Sequence, residues 1–122
     1  MNHPHKHRQG IGHVWQAIGT ALQGLRSACE HEDAFRQELV VAAIAIPVAL
    51  LLPVGMLGKA LMAGSILLVL IVELLNSALE AAVDHTSLER HPLAKRAKDM
   101  GSAAVLLSIV NAAVIWLLVL AA

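Results

Sequence analysis

The chain has 122 residues, is 57% hydrophobic, carries no net charge and has a mean hydropathy of +0.68. That length leaves room for one domain, and the hydropathy is too high for an ordinary soluble one. Zero net charge removes the electrostatic footprint of a nucleic-acid binder. The single cysteine, Cys29, excludes an internal disulfide framework and a cysteine-based zinc site. Aromatic residues are confined to Trp15, Phe35 and Trp116, fewer than a soluble core of this size uses, which also favours a membrane.

Residues 1–9 carry His3, His5 and His7 in alternation beside Lys6 and Arg8. With no carboxylate or cysteine to complete a ligand set, they read as a disordered cationic tail rather than a metal site. This start lacks the apolar core and small-residue cleavage site of a signal peptide, so no cleavage is expected. From Gly10 to Ala28 the pattern changes. Trp15, Ile18, Leu22 and Leu25 recur at helical spacing, with Gln16, Gln23 and Arg26 elsewhere. That predicts a short amphipathic helix lying on a membrane, its Trp at headgroup level. Glu30, Glu32, Asp33, Arg36 and Glu38 then form the densest charge cluster, with Glu32 and Arg36 at i, i+4. The cluster reads either as a solvated helical turn or as the interfacial floor of a site. Surface helices are expected over residues 10–38.

Three spans follow, at about residues 39–57, 60–83 and 100–121, giving an all-α membrane domain over residues 10–122. Leu39 to Gly58 is free of charge and long enough for a bilayer core of about 30 Å, although Pro47 and Pro53 sit within it. The run from Pro53 to Lys59 reads as the turn at the far side. His85 to Ala97 reads as a polar loop broken by Pro92. The third span opens with Gly101, Ser102, Ala103 and Ala104, small residues that let helix backbones approach closely, and Ser108 and Asn111 are expected to hydrogen-bond between helices. Lys6, Arg8, Arg26 and Arg36 before the first span, and Arg90, Lys95, Arg96 and Lys98 in the second loop, outnumber Lys59 in the turn. The N-terminus and second loop are therefore expected in the cytoplasm and the C-terminus outside.

The second span holds the chemistry. Relative to Glu73, the offsets of Asn76, Ser77, Glu80 and Asp84 are +3, +4, +7 and +11, a narrow polar stripe on an otherwise apolar helix. Carboxylates at that depth cost about 2.5–3.5 kcal/mol each on the lenient insertion scales, so a use for them is expected. With Glu32, Lys98 and Asp99 nearby in the expected topology, the charges gather at one membrane face. Several carboxylates and a lysine there suit magnesium-nucleotide chemistry, in which Mg²⁺ is held by one or two carboxylates and substrate phosphates. Phosphoryl transfer asks a protein mainly for positioning, charge neutralisation and a base. No glycine-rich phosphate loop is present, so a nucleotide site would be built from helix-borne side chains. Glu73, the deepest carboxylate, is the natural general base toward a lipid hydroxyl. Alternatively, Glu73 and Asn76 hold helices together.

The same residues carry a resemblance. Val72-Glu73-Leu-Leu-Asn76-Ser77-Ala-Leu-Glu80-Ala-Ala-Val-Asp84, Arg96-Ala-Lys98-Asp99-Met-Gly101-Ser102-Ala-Ala-Val105 and Glu32-Asp-Ala-Phe35-Arg36-Gln37-Glu38 are similar to the signature of the prokaryotic diacylglycerol kinase family. The likeness runs from about Gly24 to the third span. It implies a membrane kinase with three transmembrane helices and a surface helix, active as a homotrimer in the bacterial inner membrane, with sites between protomers. Such an enzyme moves the γ-phosphoryl group of ATP to the hydroxyl of diacylglycerol, giving phosphatidic acid. By the resemblance, Glu73 is the catalytic base and Asn76 supports it. Glu32 and Glu80 hold Mg²⁺ and, with Asp84, Glu89, His91, Lys98 and Asp99, the nucleotide. Arg36, Glu38, Glu73 and Ser102 line the lipid site.

The family's enterobacterial members have Arg where His13 stands and Tyr where Thr20 stands, and tryptophans at Leu22 and Cys29. An arginine is permanently charged and a histidine is not. His13→Arg is therefore expected to tighten ATP binding severalfold, read by nucleotide titration; a weaker affinity would show that this helix is aligned otherwise. Undecaprenol is the alternative substrate of the same fold. A non-enzymatic membrane adaptor or transporter subunit is the alternative of another class.

Overall fold

The computed structural model describes residues 10–86 and 91–122; the histidine tail and the loop position Glu89 lie outside them. The element order is α1 (Ile11–His31), α2 (Asp33–Leu51), α3 (Met56–Thr86) and α4 (Pro92–Ala121), with no strand among the described residues. The all-α expectation holds.

The N-terminal unit ends at Glu32 and contains α1. Gly10 precedes the helix at φ 83°, a left-handed conformation that glycine adopts without a Cβ penalty. Ile11, Val14, Trp15, Ile18, Leu22 and Leu25 are all exposed, so the apolar stripe read from the sequence extends one turn further back. A helix with an uncovered stripe of this kind suits a membrane surface. Arg26 donates to Glu30 at 2.9 Å one turn on. The helix stops at Glu32, whose backbone is extended (φ −120°, ψ 107°) and whose N–H still reaches Ala28 O at 2.9 Å.

The second unit begins at Asp33. The charge cluster is thus divided: Asp33, Arg36 and Glu38 form the opening turns of α2, six residues ahead of the expected span. Asp33 in the first turn complements the helix dipole and pairs with Arg36. The helix runs through Pro47 and ends at Leu51, just before Leu52 and Pro53, because a proline disfavours helical backbone at the residue before it. Lys59 Nζ then donates to Leu50 O at 2.7 Å, a cation on the carbonyl end of α2.

At 1.5 Å per residue α2 is about 28 Å long, while α3 and α4 are about 46 and 45 Å, well beyond a hydrocarbon core of about 30 Å. All three are long and apolar enough to cross a membrane. Residues expected in a polar loop, His85, Thr86 and 92–97, are helical, because Pro92 is tolerated at the first helical position and opens α4 instead of breaking it.

The packing faces are narrow. On α2, Phe35, Ala42 and Ala49 are buried at seven-residue spacing; on α4, Ala94, Gly101 and Ser108 repeat it, and Ala112 follows. On α3 the buried residues are Met62, Ser65, Val69 and Glu73. Such spacing gives each helix one seam, and small side chains let α4 lie close on α3. α3 packs against both α2 and α4. Large apolar side chains elsewhere are bare, Leu51 at 85% and Leu117 at 70% exposure, as lipid-facing residues are.

The hydrogen bonding of Ser108 departs from expectation. Ser108 Oγ donates to Val105 O of its own helix at 2.7 Å, satisfying the hydroxyl locally. Trp116 does cross between helices: its indole N–H points to Met62 O at 3.1 Å and Ser65 Oγ at 3.2 Å. Trp116→Phe, which keeps most of the ring area, is expected to destabilise the hairpin by about 0.5–1.5 kcal/mol, read from thermal unfolding in detergent. An unchanged midpoint would show that these bonds carry no stability.

Candidate functional site at the polar end of the α3–α4 hairpin

The polar stripe of α3 prolongs its buried seam. Glu73 is 6% exposed, Asn76 and Glu80 are half-buried, and Asp84 is exposed. Eleven residues separate the first from the last, about 16 Å of helix axis. One row of side chains therefore leads from the packed interior of the hairpin to its polar end. Asn76 Nδ2 donates to Glu80 Oε1 at 3.3 Å, which couples the middle of the row.

α4 supplies the cation. Lys98 Nζ bonds to Asp84 Oδ1 at 2.9 Å, joining the two helices near the C-terminal end of α3 and the N-terminal end of α4. The Lys98 side chain is 31% exposed, so its charge is covered on one side and open on the other. Asp99 receives Lys95 at 2.7 Å, a solvated i, i+4 pair. Asp99 thereby holds Lys95 along the outer face of α4. His91 caps α4: its Nδ1 accepts from Leu93 N–H at 3.1 Å, ahead of Pro92. His91 thus has a structural role, capping α4, that spacing did not reveal.

The residues that the resemblance assigns to a lipid site are spread over three helices. Arg36 is exposed beside Asp33, and Ser102 is exposed on α4. Glu38 is half-buried, three residues from Phe35 and four from Ala42, so it lies on the seam of α2. Sequence reading grouped Glu38 with the surface cluster; the three-and-four spacing from Phe35 to Ala42 was the signal for its inward register. Glu32 belongs to the N-terminal unit, where it ends α1 and is half-buried.

Among the described residues no three His, Cys, Asp or Glu side chains gather as a closed metal site. The donors present are nonetheless of the right kind for Mg²⁺. A carboxylate such as Glu80, oriented by an amide, is a hard oxygen ligand, and this ion commonly takes only one or two protein carboxylates beside phosphates.

Three helices long and apolar enough to span a bilayer, with a buried carboxylate, an amide-oriented carboxylate and a half-covered lysine along one hairpin, define a small polytopic membrane protein. The chain belongs to the prokaryotic diacylglycerol kinase family, whose model matches residues 19–120. It is 49% identical over 117 residues to a diacylglycerol kinase of Pseudomonas aeruginosa, covering 96% of this chain and 95% of the relative. To that of Escherichia coli strain K12 it is 46% identical over 111 residues, 91% of each chain. A Helicobacter pylori diacylglycerol kinase matches at 40% over 108 residues, 88% of this chain and 84% of the other.

Proposed function

We propose that the chain is an ATP-dependent diacylglycerol kinase of the bacterial inner membrane, with its site at the cytoplasmic face. The observation that carries the reading is Glu73, an almost fully buried carboxylate in the seam of a membrane helix, in line with Asn76, Glu80 and a lysine on the next helix. Relatives that carry the name diacylglycerol kinase over nine-tenths of the chain support the substrate. The excess of Lys and Arg before α2 and around the α3–α4 connection supports the cytoplasmic orientation.

In this reading the lipid lies in the bilayer with its primary hydroxyl at the depth of Glu73. The Glu73 carboxylate takes the hydroxyl proton as the oxygen bonds to the γ-phosphorus of ATP. The bond between that phosphorus and the β,γ-bridging oxygen breaks, and ADP leaves with phosphatidic acid as the other product. Asn76 holds the row of side chains in register. Lys98 offers its ammonium to the phosphates, exchanging Asp84 for them, while Asp99 and His91 border the nucleotide. Arg36, Glu38 and Ser102 receive the lipid headgroup region. Glu80 would hold Mg²⁺, which when bound neutralises charge developing on the phosphates. The bare apolar faces of the single chain are consistent with a homotrimer whose sites form between protomers.

The test is transfer of label from [γ-³²P]ATP into lipid by purified protein in mixed micelles, with diacylglycerol and undecaprenol offered separately. Label is expected in the diacylglycerol arm. Label confined to undecaprenol would reassign the substrate, and label in neither would remove the kinase reading.

A further inference from the structure

Gly101 is buried on the α3-facing side of α4. Its backbone is helical, with φ outside the left-handed region, so conformation alone would admit any small residue. Space does not. A Cβ here would collide with Asn76 Oδ1 and stand 3.1 Å from Leu79 Cδ2. At no other glycine would a Cβ come within 4 Å of a polar side-chain atom. The hydrogen that takes the place of the Cβ points at Asn76 Oδ1, the geometry of a weak Cα–H···O contact.

The carboxamide of Asn76 has two ends with different surroundings. Nδ2 donates to Glu80, while Oδ1 is buried with no conventional hydrogen-bond partner among the described residues. Turned over, the amide would set its oxygen against the Glu80 carboxylate, acceptor against acceptor. A buried acceptor without a conventional donor costs folding free energy, so its retention calls for an explanation other than stability.

We propose that Gly101 is a positioning residue: by lying on the Asn76 carboxamide, α4 keeps Nδ2 aimed at Glu80 and so sets the Glu80 carboxylate for the nucleotide's metal. The proposal rests on the reading of Asn76 and Glu80 as site residues.

The experiment compares the full chain with Gly101→Ala, Asn76→Ser and the double variant in mixed micelles. Two readouts are taken: the Mg²⁺ concentration for half-maximal turnover, and Mn²⁺ affinity with a non-hydrolysable ATP analogue, from the free-ion EPR signal. Gly101→Ala is expected to weaken both by about tenfold, the scale of losing support behind a metal ligand. In the Asn76→Ser background, where the smaller side chain relieves the collision, the same change is expected to add less than about twofold. Equal increments in both backgrounds, or none in Gly101→Ala alone, would overturn the proposal while leaving the site reading intact. If Asn76→Ser by itself altered neither readout, the site reading would fail and the proposal with it. Should Gly101→Ala not fold, the double variant must fold and match Asn76→Ser; a double variant that also failed to fold would overturn the proposal.

Discussion

Glu73→Gln is expected to lower turnover by about 10²–10⁴-fold, the usual contribution of a positioned general base, while KM for ATP stays within a few-fold. The substitution keeps size and shape, so the seam of α3 around Val69 and Asn76 still packs; what disappears is the ability to take a proton from the lipid hydroxyl. At 1.36 kcal/mol per tenfold, that is about 3–5 kcal/mol of barrier. Turnover in mixed micelles and assembly by chemical cross-linking would be followed together. If the carboxylate only bound helices to one another, assembly would fall in step with turnover. Full turnover in Glu73→Gln would remove the base assignment.

Lys98→Met is expected to lower kcat/KM for ATP by about 10²-fold or more, because a fixed cation facing the phosphates acts mostly on charge that develops in transfer. Methionine preserves much of the apolar stem that lies against the helices. Asp84→Asn supplies the comparison. The Lys98–Asp84 bond spans 2.9 Å, but its side chains are 31% and 53% exposed, so as a stabilising pair it is worth no more than about 1 kcal/mol and less in salt. Were stability its only role, the two variants would have equal small effects on both unfolding and turnover. A nucleotide role requires Lys98→Met to be much the worse in turnover and similar in stability. Steady-state ATP titration with thermal unfolding separates the two.

Helical periodicity made part of this site visible in the chain alone. Offsets of three, four, seven and eleven from Glu73 can fall on one face only if the backbone is helical, and the surrounding apolar residues say that the helix is in a membrane. The three spanning helices and the turn at Pro53 were readable for the same reason: length, lack of charge and proline are local properties. Boundaries were less so. Pro92 reads as a breaker in a string of letters, yet as the first residue of a helix it costs no hydrogen bond, and His85, Thr86 and residues 92–97 lie in two helix ends.

Contacts between segments belong to the register of one helix on another, which no local pattern encodes. Lys98 meets Asp84 across fourteen residues, and Trp116 meets Ser65 across fifty-one. Ser108, expected to bridge helices, instead satisfies itself within its own turn. The place where Gly101 lies on Asn76 follows from how far α4 slides along α3, and that is set by the fit of Ala94, Ser108 and Ala112 against a whole helix face. Composition and periodicity alone thus decide that this chain is a membrane helix protein with acids in its interior, because burial cost and helical geometry act residue by residue. Which glycine meets which amide, and which lysine pairs with which acid, emerges only on packing, since those are properties of two surfaces brought together.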